Sequence, residues 1–406
     1  HSGRLIQCNI IVSIETLLSR SSKLFDSIYL QSSRINLSFI TVSLQNLCYY
    51  QGLLNIMTNF LVDSDKKLTN LSSKLQDVSE IGLDTEFIRE STYRPILALI
   101  QISLPNKEIY LIDPLSIKKR DMIVQIMNNR NLTKIIHSSK QDLEALYNYM
   151  GSYPNNIFDT QIACNFISDK SNLGYSSLVK NLFDIEIKEG SWRTNWLERP
   201  LSNKKIDYAA DDVRYLIEAK SILIKRLSAL KRLSWFQEEQ EHELKKSNII
   251  LNPEDAWEKI NYPLYFDNDN IDTLKSIACW REKLSIKYDV PKKWIMSDSL
   301  VIKIMTANEK KSSDIIDNIR QNISNDEIKN LKNILSKRDK PKNKNLNPNK
   351  KVESKCYELL LSVASEYNID STIIANKRDV EIFSILNKKG RFMKGWRYQI
   401  FGKLVQ

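Results

Sequence analysis

The apolar positions of this chain change rhythm along its length. Ile81-Gly82-Leu83 leads into Asp84-Thr85-Glu86-Phe87, Ile96 to Ile102 is almost unbroken aliphatic, and Glu108-Ile109-Tyr110-Leu111-Ile112-Asp113 is closed by Pro114. Short apolar runs bounded by polar and turn residues predict buried strands. A fourth is expected at Lys134-Ile135-Ile136-His137. Between and around them the spacing widens to three and four, which predicts helices over Asp65–Gln76, Ile117–Asn129 and Lys140–Tyr149. Strands interleaved with helices predict an α/β domain around a mixed sheet.

Past Gly151 the helical period dominates, over Asp159–Phe166, Tyr175–Phe183 and Lys204 to about Lys231. A separate helical unit is expected from Asn252-Pro253, through Leu274, Ile277, Trp280, Val301 and Ile304. Residues 326–355 read as a basic linker, because Lys332–Lys355 carries nine basic residues against Asp339 and Glu353. A last helical unit is expected over 356–406. Residues 1–56 are Ser-rich and sparsely charged, with no clear periodicity. They are read as a leader that packs poorly and carries no function, with Met57 as the natural start and 57–235 as the α/β domain.

Charge and composition narrow the chemistry. A formal net charge of +11 over 406 residues favours a polyanionic partner such as nucleic acid. Glycine is scarce, with 9 residues, and neither G-x-x-x-x-G-K-[ST] nor G-x-G-x-x-G occurs. That argues against a nucleotide cofactor. The five cysteines show no C-x-x-C spacing, so neither a disulfide framework nor a zinc site is indicated, and a reducing, cytoplasmic setting is expected. With three histidines in all, a catalytic metal would be held by oxygen, as Mg2+ or Mn2+ are. No apolar run has the length of a membrane span.

Three segments supply candidate ligands. Asp84 and Glu86 are two apart on a strand and share a face; they are either solvated surface acids or a pair that holds a divalent cation. Asp142 falls in the first turn of a helix, where a carboxylate is also an ordinary capping residue. Tyr208 and Asp212 are four apart and share a helix face, with Asp211 turned away into solvent. The loop over 190–201 holds Trp192, Arg193, Trp196 and Arg199. These suit base stacking and phosphate pairing, and equally a core plug.

Together these segments resemble ribonuclease D, of the DEDD exonuclease superfamily with a tyrosine in its third motif. Asp84-Thr85-Glu86-Phe87 with Tyr93, Pro95 and Gln101 resembles the first motif, and His137 through Asp142-Leu143-Glu144 the second. Tyr208-Ala209-Ala210-Asp211-Asp212-Val213 resembles the third. Asp159-Thr160-Gln161, Arg199-Pro200-Leu201 and the helical units, Gly395-Trp396-Arg397 included, are similar to that family and its HRDC domains.

The resemblance implies an RNase H-like domain followed by two HRDC-like domains, at 252–325 and 356–406. It implies a two-metal 3′→5′ exoribonuclease that releases nucleoside 5′-monophosphates. Asp84, Glu86, Asp142 and Asp212 would hold two Mg2+ or Mn2+ ions, with Tyr208 orienting water. Phe87, His137 and Trp196 would face nucleic acid. The expected partner is RNA with a free 3′ end, such as a tRNA precursor, and the expected state a monomer. The competing readings are a DNA exonuclease of the same fold and a non-catalytic RNA-binding protein.

Overall fold

The computed structural model describes residues 59–187, 194–249, 252–264, 266–307, 309–319, 323–337, 349–386 and 390–406. The expected leader, Trp192 and Arg193 of the loop, and most of the basic stretch after Lys337 lie outside them.

A six-stranded sheet runs β1 (Asn59–Val62), β4 (Ile109–Ile112), β3 (Ile96–Ser103), β2 (Glu80–Ile88), β5 (Thr133–Ile136) and β6 (Ile157–Asp159). β3 is antiparallel to both β2 and β4, and the remaining pairs are parallel, so the sheet is mixed. β2, with Asp84 and Glu86, is central. Alternation sends Ile81 and Leu83 to one face, where they join Leu68 and Leu71 of α1 (Asp65–Lys74) and Ile123 and Met127 of α2 (Arg120–Asn128). Leu143 and Leu146 of α3 (Lys140–Met150) complete that layer. Each such aliphatic side chain, fully buried, stabilises the fold by about 1.5–3 kcal/mol.

The opposite face carries α4 (Thr160–Cys164), α5 (Tyr175–Phe183), α6 (Asn203–Asp211) and α7 (Leu216–Ala229). Val213, Leu216, Ala219 and Leu223 pack there on Ala98, Leu99 and Ile135. The helix expected over 204–231 is therefore two. α6 ends at Asp211, and a turn over 212–215 drops the chain onto the sheet before α7 begins. α8 (Leu233–Ile249) then packs on α3, α4 and α7, so the α/β domain reaches beyond the expected boundary at 235.

The first helical unit is α9 (Asn268–Tyr288), α10 (Lys292–Ile295), α11 (Asp298–Thr306), α12 (Glu309–Ile319) and α13 (Asn325–Ser336), around a core of its own. α13 corrects the linker expected from 326. Ile328, Leu331 and Leu335 recur at helical spacing and are buried in that core, while a Ser324–Glu327 capping box starts the helix. The linker's other end is also shorter, since α14 (Lys350–Tyr367) begins at 350. With α15 (Ser371–Ile374), α16 (Lys377–Leu386) and α17 (Gly395–Ile400), it forms a second helical unit. Among the described residues this unit has no separate core. Leu360, Val363, Phe392 and Trp396 belong to the same apolar cluster as Phe166 and Leu223, and Trp396 stacks on Trp235 at 5.1 Å. No helix among the described residues is long and apolar enough to cross a membrane.

Candidate active site

The site grows out of one close approach. A Cβ on Gly82 would meet Ser103 Oγ at 2.2 Å and the Val213 carbonyl oxygen at 3.0 Å. Without one, the Ser103 hydroxyl donates to the Val213 carbonyl at 2.7 Å and the 212–215 turn lies directly on β2. That seats Asp212 beside Asp84 and Glu86, which point to the same face as Gly82. Ligand oxygens of Asp84, Glu86 and Asp212 all lie within 4.8 Å of one another. Asp212 caps α6 with helical dihedrals, φ −67° and ψ −19°, so it keeps its face in common with Tyr208. The Tyr208 hydroxyl hydrogen-bonds to it.

Asp142 comes from the other helical layer. It is buried, at 7% exposure, and accepts a 2.6 Å hydrogen bond from the Thr85 hydroxyl. It stands outside the triplet, but its charge reaches Asp84, Glu86 and Asp212. The start of its helix is pinned by Asp159, which accepts from the backbone N–H groups of Ser138 (3.2 Å) and Ser139 (2.8 Å) and also caps α4.

Four acids so placed do not ionise like free carboxylates. Burial, then the charges of Asp142, Asp212 and Glu86, pushes Asp84 far above the usual range. Burial, then Asp212 and Asp142, pushes Glu86 up to about 9. Burial raises Asp142 to about 7, against the Thr85 hydrogen bond. Asp212 is raised to about 7 by burial and then by Asp211, against the hydrogen bond from Tyr208. Closely spaced oxygen donors with mutual repulsion and no cationic side chain among these causes are the donor set that a hard divalent cation suits. Gln101 supports that fit. It is fully buried opposite Asp84 in the strand register, and neither its amide oxygen nor its nitrogen has a partner among the described residues.

The surroundings match a family. A 3′-5′ exonuclease family model matches residues 59–228. Ribonuclease D of Zymomonas mobilis is 30% identical over 362 residues, 84% of this chain and 92% of that protein. Ribonuclease D of Bartonella henselae is 30% identical over 82% of this chain and 85% of its own length. The chain belongs to the ribonuclease D family. It is a 3′→5′ exoribonuclease. Ribonuclease D of Desulfotalea psychrophila is 34% identical, over 60% of this chain and 66% of its own length. The fold agrees with the crystal structure of Escherichia coli RNase D, described as an exoribonuclease involved in structured RNA processing. The TM-score is 0.69 at 24% identity, over 86% of this chain and 98% of that one.

Two residues expected to face nucleic acid in this ribonuclease D relative do other work. Trp196 is 3% exposed and packs in the core, its ring 6.0 Å from that of Tyr208. His137 is held through Nδ1 to the Thr160 hydroxyl (2.9 Å) and through Nε2 to the Leu173 carbonyl (2.8 Å), so Nε2 carries the proton. Burial lowers its pKa. Phe87 is half-buried beside Glu86. Asp211 is an ion-pair partner of Arg214, at 2.7 Å, rather than a purely solvated acid.

The buried clamp of Asp113 on Arg199 went unforeseen. Arg199 Nε and Nη2 donate to its carboxylate at 2.7 and 2.8 Å, and Nη2 also reaches the Ala98 carbonyl. Ala98 is the residue skipped where the β2–β3 register shifts between Glu86 and Phe87. Such bulges recur beside active sites. An aspartate ending a strand before a proline was the available signal.

Proposed function

We propose that this enzyme hydrolyses the 3′-terminal phosphodiester of RNA by two-metal chemistry at Asp84, Glu86, Asp142 and Asp212. The single observation that carries the reading is the triplet of carboxylates within 4.8 Å, raised in pKa by burial and by one another. Asp84, Glu86 and Asp212 would hold one Mg2+ or Mn2+ ion, and Asp84 with Asp142 a second. When bound, such ions activate water and neutralise charge on the phosphate. The water oxygen adds to the phosphorus, the bond to the 3′ oxygen of the preceding nucleotide breaks, a proton from the water passes through solvent to that 3′ oxygen, and a nucleoside 5′-monophosphate leaves.

Tyr208 orients that water. Burial, then the charges of Asp212, Glu86 and Asp84, raises its hydroxyl above an ordinary tyrosine, so it stays protonated instead of acting as a base; its proton goes to Asp212, and its oxygen is left to accept from the water and aim it. Phe87 lies against the terminal base. The helical units, at 252–336 and 350–406, are HRDC-like modules that hold the body of a structured RNA such as a tRNA precursor, and the enzyme works as a cytoplasmic monomer.

The test is digestion of 3′-labelled RNA and DNA with Mg2+, then with EDTA. RNA should shorten from its 3′ end only with the metal, and Tyr208→Phe should lower kcat roughly ten- to a hundredfold with little change in KM. Faster loss of single-stranded DNA than of tRNA precursors would reject the substrate assignment.

A further inference from the structure

Where the first helical unit meets the catalytic domain there is a cleft of about 370 Å³. A polar latch through Tyr93, one of its lining residues, joins the two there. The Tyr93 hydroxyl donates to buried Glu282 at 2.5 Å, and Asp289 accepts from the backbone N–H of Tyr93 at 3.1 Å. Five cationic side chains line the cleft: Arg89, Lys259, Arg281, Lys292 and Lys293. Three have carboxylates. Arg89 pairs with Glu144 (2.8 Å), Lys292 with Glu282 (3.3 Å) and Arg281 with Asp298 (2.6 Å). Lys259 and Lys293 have no acidic partner among the described residues, and both are exposed.

Two further observations point to a ligand. Arg281 is 3% exposed, and its Nε has no hydrogen-bond partner among the described residues. Trp294, next to Lys293, is 56% exposed, although its neighbour Ile295 is buried in the core. Lys259 keeps contact with solvent, yet enough protein crowds its ammonium to lower it to about 8, with Lys292's charge adding to the effect. Unpaired cations in the cleft, with an exposed aromatic residue next in the chain to one of them, are the combination that holds single-stranded nucleic acid, phosphates on the charges and a base on the ring. The position suits the same reaction. Arg89 follows Glu86 by three residues on and just past β2, a distance of about 10 Å at strand rise.

We infer that this cleft seats the RNA strand upstream of the nucleotide being removed, with phosphodiesters on Lys259 and Lys293 and a base on Trp294. The inference rests on the acidic cluster being the cleavage site, and it names the path by which the strand arrives there.

The experiment measures binding of a 3′-tailed RNA in EDTA between 50 and 200 mM salt. It compares wild type, Lys259→Ala/Lys293→Ala and Trp294→Ala, with KM and kcat taken separately in Mg2+. The double variant should bind about tenfold more weakly at low salt, and its salt slope should fall by roughly 1 to 1.5, at about 0.7 per phosphate contact. Trp294→Ala should weaken binding roughly fivefold and leave the slope alone. Both should raise KM and keep kcat. Wild-type affinity and slope in the double variant would overturn the inference, as would binding of a 5′-mononucleotide as tight as that of the tailed RNA. Absence of cleavage by wild type would instead reject the function proposed above, and the salt slopes would still decide on the cleft.

Discussion

Two groups of buried and half-buried carboxylates sit in this protein and behave in opposite ways. Glu239, on α8, is 6% exposed, and burial works to raise its pKa. The hydrogen bond from Arg397 (2.6 Å) and the charges of Arg397 and Arg391 outweigh burial, and it ends below the usual range. Glu86, Asp142 and Asp212 have no such partners and end at about 9, 7 and 7. Glu239 also lies close to His242 and Glu243, in a second group with metal-ligand spacing, but its oxygens already face arginines. The difference separates a charge that holds structure from charges that await a ligand. Glu239 ties α8 to the second helical unit, through Arg391 before α17 and Arg397 within it. The acids at β2 tie nothing together until a cation arrives.

The sharpest way to break the contrast is to neutralise one carboxylate in each group. Asp84→Asn should lower activity at least about a thousandfold, since the metal site supplies several kcal/mol of transition-state stabilisation. In EDTA the same change should raise Tm by a few degrees, because it removes a carboxyl group that the fold holds protonated at a cost while the unfolded chain would ionise it. Glu239→Gln should do the reverse. It leaves two arginines without their carboxylate and should cost about 3–5 kcal/mol of stability, with kcat per folded molecule unchanged. A lower Tm for Asp84→Asn in EDTA would erase the distinction.

Titration sharpens it next, because the two groups have opposite signs. The acids at β2 are raised in the folded state, so between about pH 4 and 9 the folded protein binds more protons than the unfolded chain. Their effect on stability therefore worsens as pH rises through that window. Glu239 is lowered, so its contribution is present above the unfolded glutamate pKa and is lost as pH falls through its folded value. In EDTA, the stability gap between wild type and Asp84→Asn/Glu86→Gln/Asp212→Asn should widen in the variant's favour from pH 4 to 9, reaching the order of a few kcal/mol. Calorimetry at four or five pH values reads it; a flat gap would mean that the acids are solvated after all.

A smaller effect is expected from the metal itself. A hundredfold excess of Mg2+ over its Kd should add about 2.7 kcal/mol, seen as a Tm rise that grows with pH and vanishes in Asp84→Asn/Asp212→Asn. A rise of the same size in that double variant would place the cation elsewhere.

Much of this was legible in the sequence, for physical reasons that also mark where reading fails. The strands are aliphatic runs, and Asp84 and Glu86 share a face because strand period is two. Tyr208 and Asp212 share one because Asp212 keeps helical dihedrals. The break after it was hidden. Val213-Arg214-Tyr215 contains neither glycine nor proline, and the turn forms because tertiary contact with the sheet outweighs local preference. α13 was masked by its Asn, Asp and Lys residues, which occupy the face away from Ile328, Leu331 and Leu335. Trp196 could not be sorted between core and surface, because only the neighbours it meets in the fold decide that. Nor could any local pattern tell that Trp396, some 230 residues after Phe166, would pack against it at 5.1 Å, while the first helical unit keeps its own core.

The smallest predicted effect tests how the two groups are positioned. Glu239 is placed by side-chain partners, whereas Asp212 is placed by backbone lying on Gly82. Gly82→Ala puts a methyl 2.2 Å from Ser103 Oγ and 3.0 Å from the Val213 carbonyl oxygen. The hydroxyl can rotate away at the loss of its hydrogen bond, but the carbonyl can move only with the turn that carries Asp212. Overpacking of this kind costs about 1–3 kcal/mol, and a displaced ligand should reduce kcat about tenfold. Adding Ser103→Ala removes the closer contact, so the double variant should regain part of the stability and little of the activity. If Gly82→Ala retains full kcat and Mg2+ affinity, Asp212 is held by α6 and α7 alone. If the double variant regains both stability and activity, the hydroxyl was the obstacle and the turn never had to move.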